Sequence, residues 1–363
     1  MLKAANPTAF STSLPPPQSA SDCPPPSASS SQTVAASSFD YVPNYLQEDD
    51  LTQQRRDFIS SLPTQTGWVA NHLHQYQGFW HTTRQLQGVL TSQNHFHAHD
   101  SDILLVTNPK SGTTWLKALI FSLLNRSTHA FNNPQHPLLT NNPHDLVPFI
   151  ELKLYIENQV PDLSIFASPR LFSTHLPFVS LPKSVVDSRC KIVYLCRNPK
   201  DSFVSLWHFT NKLRPKDKDA NSLEEAFDKF CNGVSLYGPF WEHVLGYWKE
   251  SLERPEKLFF LTFEEMKEKP AMQLNRLAEF LDCPFSEEEK LNGTVDGILN
   301  MCSFDSLRKL EVNKTGKMFS GEEFKAFFRL GEVGDWKNYL TDQMAERLDG
   351  IFESKFHGSG LKL

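Results

Sequence analysis

Residues 108–114 (NPKSGTT) form the segment with the clearest potential for chemistry. They follow a short apolar run and precede a stretch with the apolar spacing of a helix. A strand, a tight loop and a helix in this order leave backbone N–H groups free at the helix N-terminus, where the helix dipole favours an anion. Lys110 adds a positive charge, and Thr113 and Thr114 add hydroxyl donors. The segment therefore predicts a phosphate-binding loop.

The position of the lysine separates this loop from a Walker A loop. In the pattern GxxxxGK[ST], the lysine directly follows the second glycine and precedes the hydroxyl residue that binds Mg²⁺. Here Lys110 comes before the single glycine of the loop, Gly112. The loop is therefore expected to hold a phosphonucleotide other than the ATP or GTP of a P-loop kinase, which remains an alternative.

A second strand end carries an arginine. Arg197 directly follows the apolar run 191–196, and Asp201 or Ser202 is expected to cap the helix that comes next. A guanidinium can bind phosphate through two parallel hydrogen bonds. From the residues alone, a surface salt bridge is an equal interpretation of Arg197.

Four blocks of sequence, in this order, resemble the cytosolic sulfotransferases that use 3′-phosphoadenosine 5′-phosphosulfate (PAPS), and the plant branch in particular. The blocks are YQGFW at 76–80, PKSGTTW at 109–115, NPHDLVPF at 142–149 and EVNK at 311–314. The resemblance runs from about residue 50 to residue 361. In overall pattern it is nearest to hydroxyjasmonate and flavonol sulfotransferases.

The resemblance implies which residues hold the sulfuryl donor. The block 109–115 matches the family's 5′-phosphosulfate loop, Arg197 and Ser205 match its 3′-phosphate site, and 327–337 matches its C-terminal GxxGxxK motif. The implied donor-binding residues are Lys110, Ser111, Gly112, Thr113, Thr114, Trp115, Arg197, Ser205, Tyr237, Ser303, Phe304, Arg329, Leu330 and Gly331. Leu330 stands where the family has lysine, so donor binding is expected to be weaker than in the family but not lost.

Sulfuryl transfer to a hydroxyl needs a base for the acceptor's proton and a cation where charge builds up on the leaving oxygen. The resemblance implies that His175 is the base and that Lys110 stabilises the bridging oxygen, with Ser205 completing the catalytic set. The implied contacts of the acceptor are Phe79, Phe149, His175 and Phe209. No metal is expected, because a sulfuryl group carries less charge than a triphosphate.

Two groups of histidines and glutamates could suggest a metal site or paired catalytic carboxylates, but neither group is interpreted as a functional site. The histidines of HFHAH at 95–99 are expected in an exposed loop and not at a metal. The glutamates at 264–265 and 287–289 are interpreted as solvated charge beside helices.

Strand-like and helix-like segments alternate along most of the chain. The short apolar runs are 103–107, 191–196 and 258–262, and the helical patterns that follow them are 113–125, 200–210 and 270–282. This order predicts an α/β fold: a single P-loop-like domain with a central, mainly parallel sheet flanked by helices. The domain is expected to span 45–363, after a disordered Ser/Pro-rich tail over 1–44.

Composition limits the partners of the 363-residue chain. Its net charge of −6 and its lack of a basic block disfavour nucleic acid. The longest apolar run, 116–124, is too short to span a membrane, and six scattered cysteines indicate a reducing, cytoplasmic location. A monomer or weak homodimer is expected, because Asp342 replaces the valine of the animal members' dimerisation motif.

These observations together predict a PAPS-dependent sulfotransferase. Its acceptor is expected to be a small, largely apolar molecule with a hydroxyl, of the hydroxyjasmonate, flavonol or steroid type. A non-catalytic nucleotide-binding relative is the other alternative, and it is favoured only by Leu330 and by Cys302, which stands where many relatives have threonine.

Overall fold

The computed structural model describes residues 52–68, 70–156, 160–214, 219–318 and 320–363. The prediction of a disordered tail lies outside the described residues, and the domain boundary remains a prediction. The strands are β1 (Thr64–Thr66), β2 (His72–Tyr76), β3 (Phe79–His81), β4 (Ile103–Thr107), β5 (Leu171–Thr174), β6 (Lys191–Cys196) and β7 (Leu258–Thr262).

The α-helices are α1 (Gln53–Ser60), α2 (Thr83–His95), α3 (Thr113–Leu124), α4 (Pro143–Leu146), α5 (Lys183–Asp187), α6 (Pro199–Leu213), α7 (Leu223–Cys231), α8 (Phe240–Glu253), α9 (Phe263–Glu268), α10 (Pro270–Phe280), α11 (Glu287–Leu291), α12 (Thr294–Met301), α13 (Phe304–Lys309), α14 (Glu311–Thr315) and α15 (Asp342–Phe356). Shorter turns of 3₁₀ or π type cover Pro137–Leu139, Ile150–Leu154, Leu163–Ile165, Phe178–Ser180, Phe324–Phe327 and Asp335–Asn338. Within the described ranges, no helix is long and apolar enough to cross a membrane.

The central sheet has the strand order β5–β4–β6–β7, and all its pairs are parallel. Every residue of β4 is buried, as is nearly all of β6. Such continuous apolar runs are typical of parallel strands that have helices on both faces. Two separate hydrophobic clusters, one on each side of this sheet, confirm the predicted α/β architecture.

Local pattern located three of these four strands and the helices after them, but not β5. The run 171–174 is short and contains serine and threonine, so its composition does not distinguish it from a loop. A second sheet of three short antiparallel strands, β1–β2–β3, was not predicted either. Its strands are three to five residues long and largely polar, so they lack the period that marks a strand.

The carboxyl ends of the four parallel strands meet at one edge of the sheet, where α/β proteins commonly bind ligands. Thr107 ends β4, and Thr174 ends β5 one residue before His175. Arg197 follows β6, and Phe263 follows β7 at the start of α9. The topology therefore brings together residues that lie far apart in sequence.

Candidate active site

The loop between β4 and α3 ends in an open helix N-terminus. Gly112, the N-cap of α3, has φ +110°, and a Cβ added there would lie 2.9 Å from the ring of Phe263. Glycine is needed on both counts. Among the described residues, the backbone N–H groups of Gly112, Thr113 and Thr114 have no hydrogen-bond acceptor. Three donors and the positive end of the helix dipole are thus available to an anion.

Lys110 extends from the same loop into the cavity. Its Nζ lies 4.1 Å from the centroid of the Phe209 ring and 5.5 Å from that of Phe327. Burial, followed by the charges of Lys212 and other cations, lowers the pKa of Lys110 to about 7. An ammonium among aromatic rings and other cations is stabilised strongly by an incoming anion.

His175 faces the cavity in one defined tautomer. Its Nδ1 lies 2.7 Å from the carbonyl oxygen of Thr107, which can only accept, so Nδ1 carries the proton. Burial lowers the pKa of His175 to about 3, which keeps the imidazole neutral near pH 7. The Nε2 lone pair is therefore available, and no hydrogen-bond donor to it occurs in the described part of the chain.

Glu151 fixes the backbone of His175 through a hydrogen bond. Its carboxylate accepts hydrogen bonds from the backbone N–H of His175 at 2.8 Å, from the Thr174 hydroxyl at 2.7 Å and from the Tyr237 hydroxyl at 3.3 Å. Burial raises the pKa of Glu151. The sequence analysis missed this residue, and its only signal is an acidic residue within the apolar run FIEL at 149–152.

The contacts of Tyr237 lie around His175. The two rings are 5.5 Å apart, and the Tyr237 hydroxyl bonds to the same carboxylate that holds the His175 backbone. Tyr237 also lines the main cavity, and the contact with the adenosine of the donor that the family resemblance implies remains a prediction.

Thr114, His144 and Lys117 form a buried chain of hydrogen bonds behind the phosphate loop. The Nζ of Lys117 lies 3.1 Å from Nδ1 of His144, and Nε2 of the same ring lies 2.9 Å from the Thr114 hydroxyl. Burial lowers the pKa of Lys117 well below its usual value. The network links a hydroxyl of the phosphate loop to two buried basic side chains. A histidine and a lysine 27 positions apart gave no signal of this network.

The helix after β6 begins differently from the prediction. The Asn198 side chain, not that of Asp201 or Ser202, caps α6 by accepting from the N–H of Lys200 at 3.0 Å. The Asp201 carboxylate instead accepts from the backbone N–H groups of Gly334 at 2.7 Å and Trp336 at 3.0 Å. Asp201 thus anchors the C-terminal segment to α6.

Glu264 corrects the interpretation of the glutamate pair at 264–265. Its carboxylate accepts from the backbone N–H of Asn198 at 3.0 Å, and burial raises its pKa. Glu265 completes a capping box at the start of α9, while the glutamates at 287–289 lie in the first turn of α11. Glu264 is therefore a structural support of the loop after β6 and not a solvated charge.

Arg197 and the segment 329–335 meet at the far end of the site. Arg197 is buried and donates to the backbone oxygen of Glu332 at 2.5 Å. Arg329 pairs with Asp335 at 2.5 Å, and Gly331 has φ +74° close to the ring of Phe304. The Nε–H groups of both arginines are buried without an acceptor in the described chain. Two guanidinium donors are left for a ligand.

One cavity of about 440 Å³ is lined by most of the predicted site residues. The predicted site residues that line it are Lys110, Gly112, Thr113, Thr114, Trp115, Phe149, His175, Arg197, Ser205, Phe209, Tyr237, Ser303, Phe304, Arg329, Leu330 and Gly331. Ser111 is buried outside this lining. Phe79 also lies outside it and packs edge-on against His243, which bonds to the backbone of His175.

The histidines at 95–99 show no arrangement for a metal. His95 ends α2, and His97 and His99 follow in an exposed loop, as the sequence predicted. No group of three or more potential ligands for a metal ion occurs among the residues that the structure describes. The expectation of a metal-free reaction remains a prediction.

Comparison with known proteins assigns the family. The family model described as the sulfotransferase domain matches residues 100–360 of this chain. The chain belongs to the sulfotransferase family. It is 53% identical over 329 residues to cytosolic sulfotransferase 12 of Arabidopsis thaliana, a match that covers 90% of this chain and 99% of that relative.

Solved sulfotransferases share the fold of this one. A crystal structure of an Arabidopsis thaliana sulphotransferase is 47% identical, covers 89% of this chain and 99% of its own, and superposes with a TM-score of 0.71. A mouse sulfotransferase complexed with PAP is 28% identical, covers 79% of this chain and 95% of its own, and has a TM-score of 0.62. The predicted recognition, fold class and enzyme type are thereby confirmed.

Proposed function

We propose that this sulfotransferase moves a sulfuryl group from PAPS to a hydroxyl of a small, largely apolar acceptor. One observation carries the proposal: a neutral His175 with a free Nε2 and the Lys110 loop with its open helix N-terminus line the same cavity. The mouse relative complexed with PAP supports the identity of the donor.

The donor fits the unpartnered polar groups of the cavity. The N–H groups of residues 112–114 would hold the 5′-phosphosulfate, and Arg197, Arg329 and Ser205 would hold the 3′-phosphate. Trp115 lies edge-on to Phe263 at 5.5 Å on the cavity wall, where it would pack on the purine. When bound, PAPS supplies a sulfuryl group attached to a phosphate leaving group.

His175 would act as the general base. Its Nε2 accepts the proton of the acceptor hydroxyl while that oxygen forms a bond to sulfur and the bond from sulfur to the bridging oxygen breaks. The Thr107 carbonyl fixes the tautomer, and it stabilises the imidazolium that forms because it accepts from Nδ1–H. A positioned base of this kind commonly accelerates a reaction by about 10²–10⁴-fold.

Lys110 would stabilise the negative charge that develops on the bridging oxygen. The pKa of Lys110 is about 7 among the neighbouring cations, and anionic groups around it would raise this pKa, so Lys110 would then carry its full charge. A charge already placed where the transition state becomes negative lowers the barrier without reorganisation.

The acceptor side of the cavity is aromatic. The ring of Phe149 lies 4.7 Å from that of His175 and 5.5 Å from that of His144, with which it stacks, while Phe209 lies 5.5 Å from Phe327. Such walls favour a flat or apolar molecule that presents one hydroxyl to His175. Hydroxyjasmonates, flavonols and steroids all meet this description. Phe79 would act indirectly, through His243.

The location and assembly follow from the relatives and from one surface residue. The plant relatives are named cytosolic sulfotransferases, which supports a cytoplasmic location. Asp342, the first residue of α15, is exposed and charged where a small apolar interface would need to bury it. A monomer or a weak homodimer is therefore proposed.

A nucleotide panel followed by a transfer assay tests the proposal. Adenosine 3′,5′-bisphosphate is expected to raise the melting temperature, whereas ATP and GTP are not; the reverse result would favour a kinase. Transfer of ³⁵S from labelled PAPS to at least one acceptor among hydroxyjasmonates, flavonols and steroids is then expected. Binding of the bisphosphate without transfer to any member of the panel would favour the non-catalytic alternative.

A further inference from the structure

Leu330 lies in a wall shared by two cavities. The main cavity and an adjoining one of about 360 Å³ are both lined by Lys267, Ser303, Phe304, Arg329 and Leu330. Leu330 is 40% exposed, so an apolar side chain stands at the point where the proposed 3′-phosphate site opens toward solvent. Leu330 itself offers no positive charge to a phosphate placed there.

Three cations surround this wall, and their present partners differ. Arg329 is held by Asp335 at 2.5 Å. Arg308 lies 3.9 Å from Asp305, is 53% exposed and lines only the smaller cavity. Lys267 lines both cavities. Of the two cations not already proposed as donor ligands, only Lys267 reaches the main cavity in the described structure.

Helix α9 brings Lys267 to this position. Its first residue, Phe263, packs on Gly112 and lies under the guanidinium of Arg197, 4.6 Å from ring centroid to Cζ. Met266 is buried and lines the main cavity beside Lys267. The helix is therefore fixed against both proposed phosphate sites.

The present partner of Lys267 can be exchanged at little cost. Its Nζ lies 3.2 Å from the carboxylate of Glu332, with the two side chains 32% and 59% exposed. Exposed pairs of this kind contribute little to stability. A phosphate with more than one charge is a stronger partner than one carboxylate, and Lys267 also offsets the repulsion between that phosphate and Glu332.

We infer that Lys267 is a further cation for the 3′-phosphate of the donor, acting where Leu330 supplies none. The inference rests on the proposed function, because it requires a donor with a 3′-phosphate. It adds a donor-binding residue from α9, which is not among the donor-binding residues that the sequence predicted.

Titration calorimetry on the full chain tests this with two nucleotides, adenosine 3′,5′-bisphosphate and adenosine 5′-monophosphate. Lys267→Gln is expected to weaken binding of the bisphosphate by about three- to thirtyfold and that of the monophosphate by less than about twofold. Lys269→Gln is the matched control. Lys269 is two residues further on, 58% exposed and paired with Glu268, and it lines neither cavity in the described chain.

The double variant Lys267→Gln/Leu330→Lys tests whether a new cation can replace Lys267. The added lysine is expected to restore selectivity for the bisphosphate. It is expected to tighten bisphosphate binding more in the Lys267→Gln variant than in the natural chain, because Lys267 no longer neutralises the phosphate there. Melting curves of each variant show whether it is folded, so that a loss of binding can be distinguished from a loss of folding.

Three results decide the inference. Selective loss in Lys267→Gln, with rescue by Leu330→Lys, supports it. The inference is overturned if Lys267→Gln weakens the binding of both nucleotides equally. It is also overturned if Lys267→Gln binds both as the natural chain does while Arg308→Gln loses its preference for the bisphosphate. Neither result contradicts PAPS as the proposed donor. If the natural chain binds the bisphosphate no more tightly than the monophosphate, the proposed donor itself fails.

Discussion

The two strand–loop–helix units at the centre of the sheet differ in how their helix N-termini are used. Before α3, Gly112 provides no capping side chain and the first N–H groups remain open. Before α6, the side chain of Asn198 caps Lys200, and Glu264 accepts the N–H of Asn198. The first unit offers backbone donors and a helix dipole to a ligand, whereas the second offers side chains, chiefly Arg197.

Of these two helix N-termini, only that of α3 lacks a capping side chain and leaves backbone N–H groups available to an anion. The first unit also carries Lys110 and lies next to His175 through Thr107. We therefore propose that the first unit holds the groups whose charge changes during transfer, and that the second unit holds the 3′-phosphate, whose charge stays constant.

The largest expected effect is that of His175→Ala, which removes the base beside the first unit. Turnover is expected to fall by about 10²–10⁴-fold, the range for a positioned base. Affinity for adenosine 3′,5′-bisphosphate is expected to stay within about threefold, because the imidazole faces the acceptor and a helix dipole does not depend on it. Steady-state kinetics and calorimetry on the same preparation check this, and a parallel collapse of affinity would contradict the assignment.

Arg197→Met tests the second unit alone. Loss of a charge-assisted hydrogen bond is expected to weaken binding of the 3′,5′-bisphosphate by about ten- to a hundredfold, with adenosine 5′-monophosphate little affected. Lys200→Met is the matched control, since Lys200 lies three residues further on, in the first turn of α6, but pairs with Asp349. Equal weakening of both nucleotides would show that Arg197 does not meet the 3′-phosphate.

The pH dependence of donor-product affinity separates the two units further. Burial and neighbouring cations lower the pKa of Lys110 to about 7, and a bound anion would raise it, so binding takes up a proton above pH 7. Affinity for the bisphosphate is therefore expected to fall as the pH rises from about 7 to 8.5, by up to about tenfold per unit. Lys110→Ala should flatten this slope, and Arg197→Met should change it less, because Arg197 is the weakest of the three cations that lower the pKa of Lys110. Titrations at several pH values can measure this.

The smallest effect is expected at the cap of the second unit. Asn198→Ala should lower the free energy of unfolding by about 0.5–2 kcal/mol, the usual cost of losing an N-cap. Ser222→Ala removes the cap of α7 and is the control for stability alone. Denaturant melts and bisphosphate titrations compare the two. Tighter nucleotide binding in Asn198→Ala alone would indicate that the second N-terminus also serves as an anion site once it is opened.

The sequence was sufficient for features that a few neighbouring residues determine. The strand before Thr107, the loop with Lys110 and Gly112, and the helix after it all follow from local pattern, and the structure places them as predicted. Most residues implied by the family resemblance also line the cavity. Their roles in donor and acceptor binding remain predictions.

Features that depend on distant contacts were not accessible from the sequence. Glu151 holds the backbone of a residue 24 positions away, and the Asp201 carboxylate takes two N–H groups from the C-terminal segment instead of capping its own helix. Tyr237 donates its backbone N–H to the Trp80 oxygen of β3 at 2.8 Å, and its hydroxyl donates to the carboxylate of Glu151. Each of these needs the folded topology, which brings separate segments to one sheet edge.

The most direct test of the account compares Lys110→Ala with Arg197→Met in single-turnover transfer of ³⁵S, at PAPS concentrations that saturate each variant. Lys110→Ala is expected to slow the transfer step by about 10²–10³-fold, the scale for loss of one preorganised charge. Arg197→Met is expected to transfer at close to the natural rate once donor is saturating. Equal rates for the natural chain and Lys110→Ala, or an equal loss in both variants, would contradict the division between a reacting unit and a binding unit.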